Sequence, residues 1–212
     1  MAKVIGICGS PRKESGSEFA LKYALNIVER NCNCKTELIT LSDKKIKRCT
    51  ACGQCHTHKD QIDNFCIHND DVGEIIKKLS NADGCIISSP VYLTTVPGIL
   101  KDLLDRISIA MHTPGNNCNF KHNLRIGSAI VLGAVRNGGQ ETTLNTIYNC
   151  MLSLGYLITG GPCFELGKCE NHSGVSIWSK DGSIATVKND IESEKSLKYM
   201  AEHFALSISS LT

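Results

Sequence analysis

Short apolar runs alternate along this chain with longer segments in which apolar residues recur every three or four positions. Runs of the first kind predict buried strands, and segments of the second kind predict helices with one apolar face. Strands are predicted at 3–8, 34–41, 83–88, 125–132 and 156–159, and helices at 18–30, 70–79, 99–110, 141–154 and 191–211. This regular β-α-β alternation predicts an α/β fold with a five-stranded parallel sheet and helices on both faces.

No internal repeat, low-complexity tract or linker interrupts the alternation. We therefore expect a single domain over residues 1–212, with a cysteine-rich loop at 48–67. Two long stretches, 111–124 and 161–188, are polar and glycine-rich, which predicts irregular structure outside the core. Long loops in a compact domain are more often functional or interfacial than idle.

The charges of the chain nearly cancel, because the sequence has 23 basic and 21 acidic side chains. Such a balance argues against a nucleic-acid or membrane-surface partner and favours a small molecule. The short apolar start is unlike a secretory signal, and no later run is long enough to span a bilayer, so we expect a cytoplasmic protein. In that setting the twelve cysteines are expected to be reduced thiols or metal ligands.

Four of these cysteines, Cys49, Cys52, Cys55 and Cys66, lie within eighteen residues. Two residues separate each of the first three, a spacing with which three thiolates can bind one iron-sulfur cube while a fourth from a nearby turn completes the coordination. Zinc more often binds two separated Cys-x2-Cys pairs, so the tandem spacing favours iron. A zinc site and plain reduced cysteines are the alternatives.

The loops that follow the first, third and fourth predicted strands are candidate ligand sites, because open parallel sheets bind ligands at the carboxyl ends of their strands. The first of these loops is rich in serine and glycine and leads into a helix, an arrangement that suits a phosphate group. Its candidate cofactor-binding residues are Ser10, Arg12, Ser15, Ser17 and Glu18. A polar turn in which Ser17 caps the helix would explain the same residues.

The other two loops contain residues that suit a flat heterocycle. In the loop after the third strand, an aromatic ring on a proline-stiffened backbone can lie beside such a ligand. In the loop after the fourth strand, glycines let the backbone approach a ligand closely, although such turns also occur without one. The candidates are Pro90, Val91, Tyr92 and Leu93 in the former loop, and Gly133, Arg136, Asn137, Gly138 and Gly139 in the latter.

Four stretches, in this order, resemble the flavodoxin-like NAD(P)H-dependent FMN reductases. They are Gly-Ser-Pro-Arg at 9–12, Ser-Pro-Val-Tyr at 89–92, Leu-Lys-Asp-Leu-Leu-Asp-Arg at 100–106 and Arg-Asn-Gly-Gly-Gln-Glu at 136–141. The four clustered cysteines, followed by Asp70 and Asp71, make the chain similar to the iron-sulfur flavoproteins of that family. The resemblance covers residues 4 to about 160 and implies a flavodoxin-like sheet.

The resemblance also implies the cofactors and the assembly. The first loop would hold the FMN phosphate, the other two loops the isoalloxazine ring, and the four cysteines a 4Fe-4S cluster. Family members typically form homodimers or homotetramers, with the cluster of one subunit near the flavin of another. The ten residues between Cys55 and Cys66 exceed the usual family gap, so His56, His58 and His68 are substitute ligands, each of which we interpret as a solvated loop residue.

The sequence thus predicts an FMN-dependent electron-transfer oxidoreductase in which no side chain acts as a catalytic acid or base. Its electron donor would be a ferredoxin-like one-electron carrier or NAD(P)H as a substrate, and a small molecule would accept two electrons. Two alternatives stay open: an NAD(P)H-dependent FMN or quinone reductase or nitroreductase without a cluster, and a non-enzymatic redox sensor.

Overall fold

The described part of the chain folds around a parallel sheet. The structure is a computed structural model and describes residues 1–57, 66–112, 124–161 and 173–211. Its strands are β1 (Ala2–Cys8), β2 (Cys34–Thr40), β3 (Gly84–Pro90), β4 (Arg125–Gly133), β5 (Tyr156–Ile158) and β6 (Val175–Trp178). The strand order is β2-β1-β3-β4-β5, and β6 pairs with β4 beyond the end of β5. The carboxyl ends of β1, β2 and β3 lie side by side, because Cys8 is level with both Thr40 and Ser88.

Seven helices surround the sheet in the described residues. They are α1 (Gly16–Asn31), α2 (Gln54–Thr57), α3 (Val72–Ser80), α4 (Gly98–His112), α5 (Gln140–Ser153), α6 (Ile184–Lys188) and α7 (Ile191–Leu211). Apolar residues of α3, α4 and α5 pack on one face of the sheet, and those of α1 and α7 pack on the other. The apolar spacing in α1, where Leu21, Leu25 and Val28 are all buried, shows how the sequence directs one helical face to the core. None of the described helices is long and apolar enough to cross a membrane.

The predicted α/β fold with a parallel sheet and helices on both faces is confirmed, and every predicted strand and helix is present within a few residues of its expected bounds. One difference is a sixth strand. The stretch 161–188 was expected to be irregular, but it contains β6 and α6, and Val175 and Ile177 of β6 are fully buried. Four residues are too few for their alternation to be recognised in a polar surrounding. The other stretch, 111–124, lies almost entirely outside the described residues.

The cysteines outside the cysteine-rich loop were expected to be reduced. Cys8, Cys85 and Cys150 are indeed free, but Cys32 and Cys34 are bonded to each other at the start of β2. The predictions for Cys118, Cys163 and Cys169 lie outside the described residues.

Candidate functional site

A cavity of about 190 Å³ opens at the carboxyl ends of β1, β3 and β4. Its walls include seven of the predicted cofactor-binding residues, which are Ser10, Arg12, Ser15, Ser17, Pro90, Val91 and Tyr92. Leu132, Ala134, Ser179, Asp181 and Gly182 complete the lining. The structure therefore brings the first and second candidate loops together, as the placement of both after parallel strands predicts.

The start of α1 is held firmly against the strand ends. Ser15 is the residue that caps the helix, since its hydroxyl accepts a hydrogen bond from the Glu18 N–H at 3.3 Å. Ser17 lies inside the helix, where its carbonyl accepts a hydrogen bond from the Ser88 hydroxyl at 2.9 Å. The alternative interpretation of Ser17 as the cap is therefore wrong. The Glu18 carboxylate pairs with Lys22 at 2.6 Å and does not line the cavity.

Arg12 joins the first loop to a segment near the carboxyl end of the chain. Its Nη2 donates hydrogen bonds to the carbonyl oxygens of Asp181 (3.4 Å) and Gly182 (3.0 Å). The Asp181 carboxylate instead accepts hydrogen bonds from the Ser183 N–H (2.9 Å) and the Thr186 hydroxyl (2.8 Å). These hydrogen bonds lower the pKa of Asp181 to about 2, and the bond from the Ser183 N–H has the largest effect. Within the cavity lining, the Arg12 guanidinium is thus bound by neutral carbonyls, and its positive charge stays available to an anion.

The segment from Ser179 to Gly182 was not recognised in the sequence. It follows β6 and reaches α1, where the Gly16 N–H donates to the Gly182 carbonyl at 3.0 Å. A Cβ atom at Gly16 would lie 2.9 Å from that carbonyl oxygen, so the helix and the segment approach each other as closely as glycine allows.

We expect Gly16→Ala to lower the free energy of unfolding by about 1–3 kcal/mol, because the added methyl must push this backbone away. Gly73→Ala is the matched control: Gly73 also lies in the first turn of a helix, α3, but its Cβ would meet no atom within 4 Å. The control should raise the free energy of unfolding by about 0.4–1 kcal/mol through reduced entropy of the unfolded chain. Urea denaturation of both variants measures the contrast, and equal effects would contradict the close approach at Gly16.

The loop after β3 folds back on itself at Tyr92. Backbone hydrogen bonds of 2.8 and 3.1 Å join Tyr92 and Thr95, and both intervening residues have positive φ, 44° at Leu93 and 65° at Thr94. Left-handed backbone at two non-glycine residues is strained and is typical of functional loops. The turn leaves Leu93 95% exposed at its tip. Leu93 was predicted to bind the cofactor, but it does not line the cavity.

The loop after β4 is shaped by a side chain that the sequence analysis missed. Gln140, which is 4% exposed, donates to the Val135 carbonyl at 2.6 Å and accepts from the Gly138 N–H at 2.8 Å. Gly139 has a φ of 103°, and a Cβ there would lie 2.6 Å from the Cα of Thr94. The absence of a side chain at Gly139 therefore lets the second and third candidate loops touch.

The predicted residues of this third loop do not line the first cavity. Those concerned are Gly133, Arg136, Asn137, Gly138 and Gly139. Arg136 lines a neighbouring cavity of about 460 Å³, where its guanidinium lies 4.8 Å from the ring centroid of Trp178. Trp178 in turn donates its indole N–H to the Ala134 carbonyl at 3.1 Å. A tryptophan in the polar stretch 161–188 was the one available sequence signal for this contact.

A separate cavity of about 200 Å³ is lined by Cys49, Cys52, Cys55 and Cys66 together. Cys66 thus reaches the other three cysteines despite the long gap after Cys55. Burial raises the pKa of the Cys55 thiol, and the nearby thiols of the other three cysteines raise it further. Among the described residues, no three His, Cys, Asp or Glu side chains converge on a common point for one metal ion. The four cysteines therefore share a cavity but do not form a preformed site for a single metal ion.

The tandem cysteines occur on a tightly wound backbone. Ala51 and Gly53, which lie between them, have φ values of 52° and 74°. The Ala51 N–H donates a hydrogen bond to the sulfur of Cys49 at 3.4 Å. This hydrogen bond holds the Cys49 sulfur against the turn.

The base of this loop is fastened by the two aspartates that follow it. Asp70 accepts hydrogen bonds from the Lys47 N–H (2.9 Å) and from Nη1 of Arg106 (2.5 Å), and Asp71 accepts one from the Lys45 N–H (2.6 Å). Arg106 comes from α4 and also donates to the Lys47 carbonyl at 3.1 Å. The side chains of Asp70 and Arg106 are 0% and 2% exposed, so they form a buried ion pair beneath the loop.

His68 lies in the wall of the cysteine cavity, and its Nε2 is buried. The buried Nε2 differs from our interpretation of His68 as a solvated loop residue, although the residue as a whole is half-buried. The interpretations of the His56 side chain and of His58 lie outside the described residues.

Comparison with known proteins agrees with this arrangement. The family model described as NADPH-dependent FMN reductase matches residues 2–170. Two iron-sulfur flavoproteins of Methanocaldococcus jannaschii are similar to the chain: one is 36% identical over 95% of this chain and 94% of its own, and the other is 39% identical over 74% of this chain and 76% of its own. A WrbA-like flavodoxin from Agrobacterium tumefaciens has the same fold, with a TM-score of 0.61 and 12% identity over 100% of this chain and 99% of its own. The chain therefore belongs to the NADPH-dependent FMN reductase family and is a flavin-dependent oxidoreductase.

Proposed function

We propose that this protein is an FMN-dependent electron-transfer oxidoreductase with a 4Fe-4S cluster bound by Cys49, Cys52, Cys55 and Cys66. The single observation that supports it most is that these four cysteines line one cavity. Four thiolates are the usual ligands of such a cluster. The tandem Cys-x2-Cys-x2-Cys spacing favours iron over zinc, which more often binds two separated Cys-x2-Cys pairs.

The cavity at the strand ends, called the flavin cavity from here on, is the site that we propose for FMN. Ser10, Ser15 and Ser17 offer hydroxyl groups, and Arg12 offers a positive charge beside the first turn of α1, which together suit the phosphate. The Pro90 to Tyr92 backbone and the Tyr92 ring would hold the isoalloxazine, and the contact between Gly139 and Thr94 would position the third loop at its edge. The flavin, when bound, supplies one- and two-electron chemistry, and the cluster supplies one-electron steps.

In this proposal the protein passes electrons between a ferredoxin-like one-electron carrier and a small molecule that accepts two. NAD(P)H as the donor is the second candidate, favoured by the matching family description. In that case the side chains around the flavin would orient the nicotinamide, and the cluster would be absent or accessory.

Anaerobic purification followed by iron, sulfide, zinc and flavin analysis tests the proposal. Iron and acid-labile sulfide together with FMN, and a broad visible absorbance beneath the flavin bands, would support it. Flavin alone, with turnover on NADPH, would support the second candidate. Zinc in place of iron would contradict the cluster.

The phosphate site leads to a prediction about flavin selectivity. Arg12→Ala combined with Ser10→Ala should weaken FMN binding about 10- to 100-fold while changing riboflavin binding much less, because only FMN has the phosphate. Titration of apoprotein with each flavin, followed by fluorescence, measures the two dissociation constants. Lys13→Ala, an exposed lysine of the same loop outside the cavity lining, is the control. Equal losses for both flavins would indicate general damage to the loop.

We also propose that the chain forms a homodimer or homotetramer. Leu93 (95%), Val135 (65%) and Trp178 (40%) are exposed apolar residues, and each is the sequence neighbour of a residue that lines the flavin cavity. Exposed apolar groups clustered at a functional site are typical of an interface. Leu93→Ser with Val135→Ser should therefore shift the protein towards monomers in sedimentation experiments, whereas Leu152→Ser, which removes an equally apolar exposed residue from α5, should not. Assembly unchanged by the double variant would remove this surface as the interface.

A further inference from the structure

Arg106 has a hydrogen-bond donor for which the described residues provide no acceptor. Its side chain is 2% exposed and lies in the wall of the cysteine cavity. Nη1 is occupied by Asp70 and the Lys47 carbonyl, but Nε is buried and has no partner in the described part of the chain. A buried charged donor without an acceptor is costly, so a native structure normally supplies one.

His68 presents the same situation in the same place. Its Nε2 is buried without a partner among the described residues, and the side chain lines the cavity that the four cysteines share. Arg106 comes from α4 and His68 from the turn before α3, so two separate elements each contribute a lining residue with a buried, unpaired polar nitrogen. With the His68 proton on Nε2, an occupant that accepts hydrogen bonds satisfies both nitrogens, whereas an apolar occupant leaves both unsatisfied.

The run from Leu100 to Arg106 is one of the stretches on which the family resemblance depends, yet its arginine lies outside the lining of the flavin cavity. The position of Arg106 on α4 is fixed from below by Asp70. Asp70 is therefore the counter-charge that lets a guanidinium be buried beneath the cysteine loop, with its Nε side left for another acceptor.

We propose that Arg106 Nε and His68 Nε2 donate hydrogen bonds to sulfur atoms of the group that the four cysteines bind, and that they thereby raise its reduction potential. This inference rests on the proposed cluster. One-electron reduction adds one negative charge to the cluster and transfers no proton, so N–H donors and a nearby guanidinium stabilise the reduced form more than the oxidised form. Arg106 and His68 are positioning residues that tune the cluster and are not its ligands.

The test compares the reduction potential of the cluster in the wild type with that in three variants. His68→Leu removes the donor at nearly constant size, and His68→Gln returns an N–H donor. Arg106→Lys keeps a cation for Asp70 but loses the planar guanidinium that can bind two partners at once. Lys101→Ala is the control, because it removes a positive charge from the same helix at an exposed site outside the cavity, where Lys101 pairs with Asp105.

Iron and sulfide per chain are measured first, and the potential is then measured by anaerobic redox titration followed by visible and EPR spectra. We expect full iron content in His68→Leu and in Arg106→Lys. In both variants the reduction potential of the cluster should fall by about 59 mV, which for one electron corresponds to a tenfold weaker preference for the reduced form. His68→Gln should recover the wild-type potential, and Lys101→Ala should keep it. If His68→Leu merely loosened the site and admitted water, His68→Gln would not restore the wild-type potential.

Unchanged potentials in variants with full iron would overturn the inference. A wild type without iron and sulfide would overturn the proposed function itself, so the two failures are distinguishable before any variant is made. If Arg106→Lys fails to fold, the His68→Leu and His68→Gln pair decides the outcome, since His68 contributes no described ion pair.

Discussion

Replacement of any one of Cys49, Cys52, Cys55 and Cys66 by alanine is expected to remove most of the bound iron while changing FMN affinity less than about twofold. The reason is geometric: all four cysteines line one cavity, and none of them lines the flavin cavity. Loss of one thiolate leaves the cluster with an open coordination site that oxygen and water attack. Iron and flavin content of each variant, purified anaerobically, measures the effect.

Cys150→Ala is the matched control for this series. Cys150 is a free and partly buried thiol on α5 that lies outside the cysteine cavity, so its replacement should leave iron unchanged. Undiminished iron in Cys66→Ala alone would show that Cys66 is not a ligand and would turn attention to His56, His58 and His68. Undiminished iron in all four variants would contradict the proposed site.

The second large effect is expected at the ion pair beneath the loop. Asp70→Ala should lower the free energy of unfolding by about 3–5 kcal/mol, because it leaves Arg106 buried without its counter-charge. Asp71→Ala is the control: Asp71 accepts only a backbone N–H at a more exposed position, and its loss should cost about 1 kcal/mol. Chemical denaturation at neutral pH measures the free energy of unfolding of both variants. Similar decreases would show that the buried ion pair contributes no more to stability than the single hydrogen bond of Asp71.

The same pair determines how stability depends on pH. Burial by itself would raise the pKa of Asp70, but the hydrogen bonds from Arg106 and from the Lys47 and Val72 N–H groups outweigh it and lower the pKa. The folded pKa therefore lies below the unfolded value of about 3.9. The stabilisation is fully present above that value and is lost as the pH falls through the folded pKa. The difference between wild type and Asp70→Ala should accordingly be constant near neutral pH and shrink in acid, and a difference that grows in acid would contradict this assignment.

Local patterns in the sequence were sufficient for most of the fold. The apolar spacing of α1 and the buried runs of β1, β3 and β4 depend only on neighbours a few residues away, so they could be recognised directly. The loops after β1 and β3 could be paired because the carboxyl ends of parallel strands share one edge of the sheet. The spacing of Cys49, Cys52 and Cys55 predicted a shared site for the same local reason.

The remaining features depend on contacts between residues that are distant in the chain. Arg12 meets the carbonyl of Gly182 across 170 positions, and Arg106 meets Asp70 across 36. No periodicity records such a contact, because it results from strand register and from the path of each crossover. The sequence by itself thus determined the parallel sheet, the first and second candidate loops and the cysteine motif. Only the tertiary structure decided that Cys66 and His68 reach the cysteine cavity, that β6 brings Ser179 to the flavin cavity, and that Glu18 and Leu93 lie outside the lining of that cavity, since packing of the folded chain sets these positions.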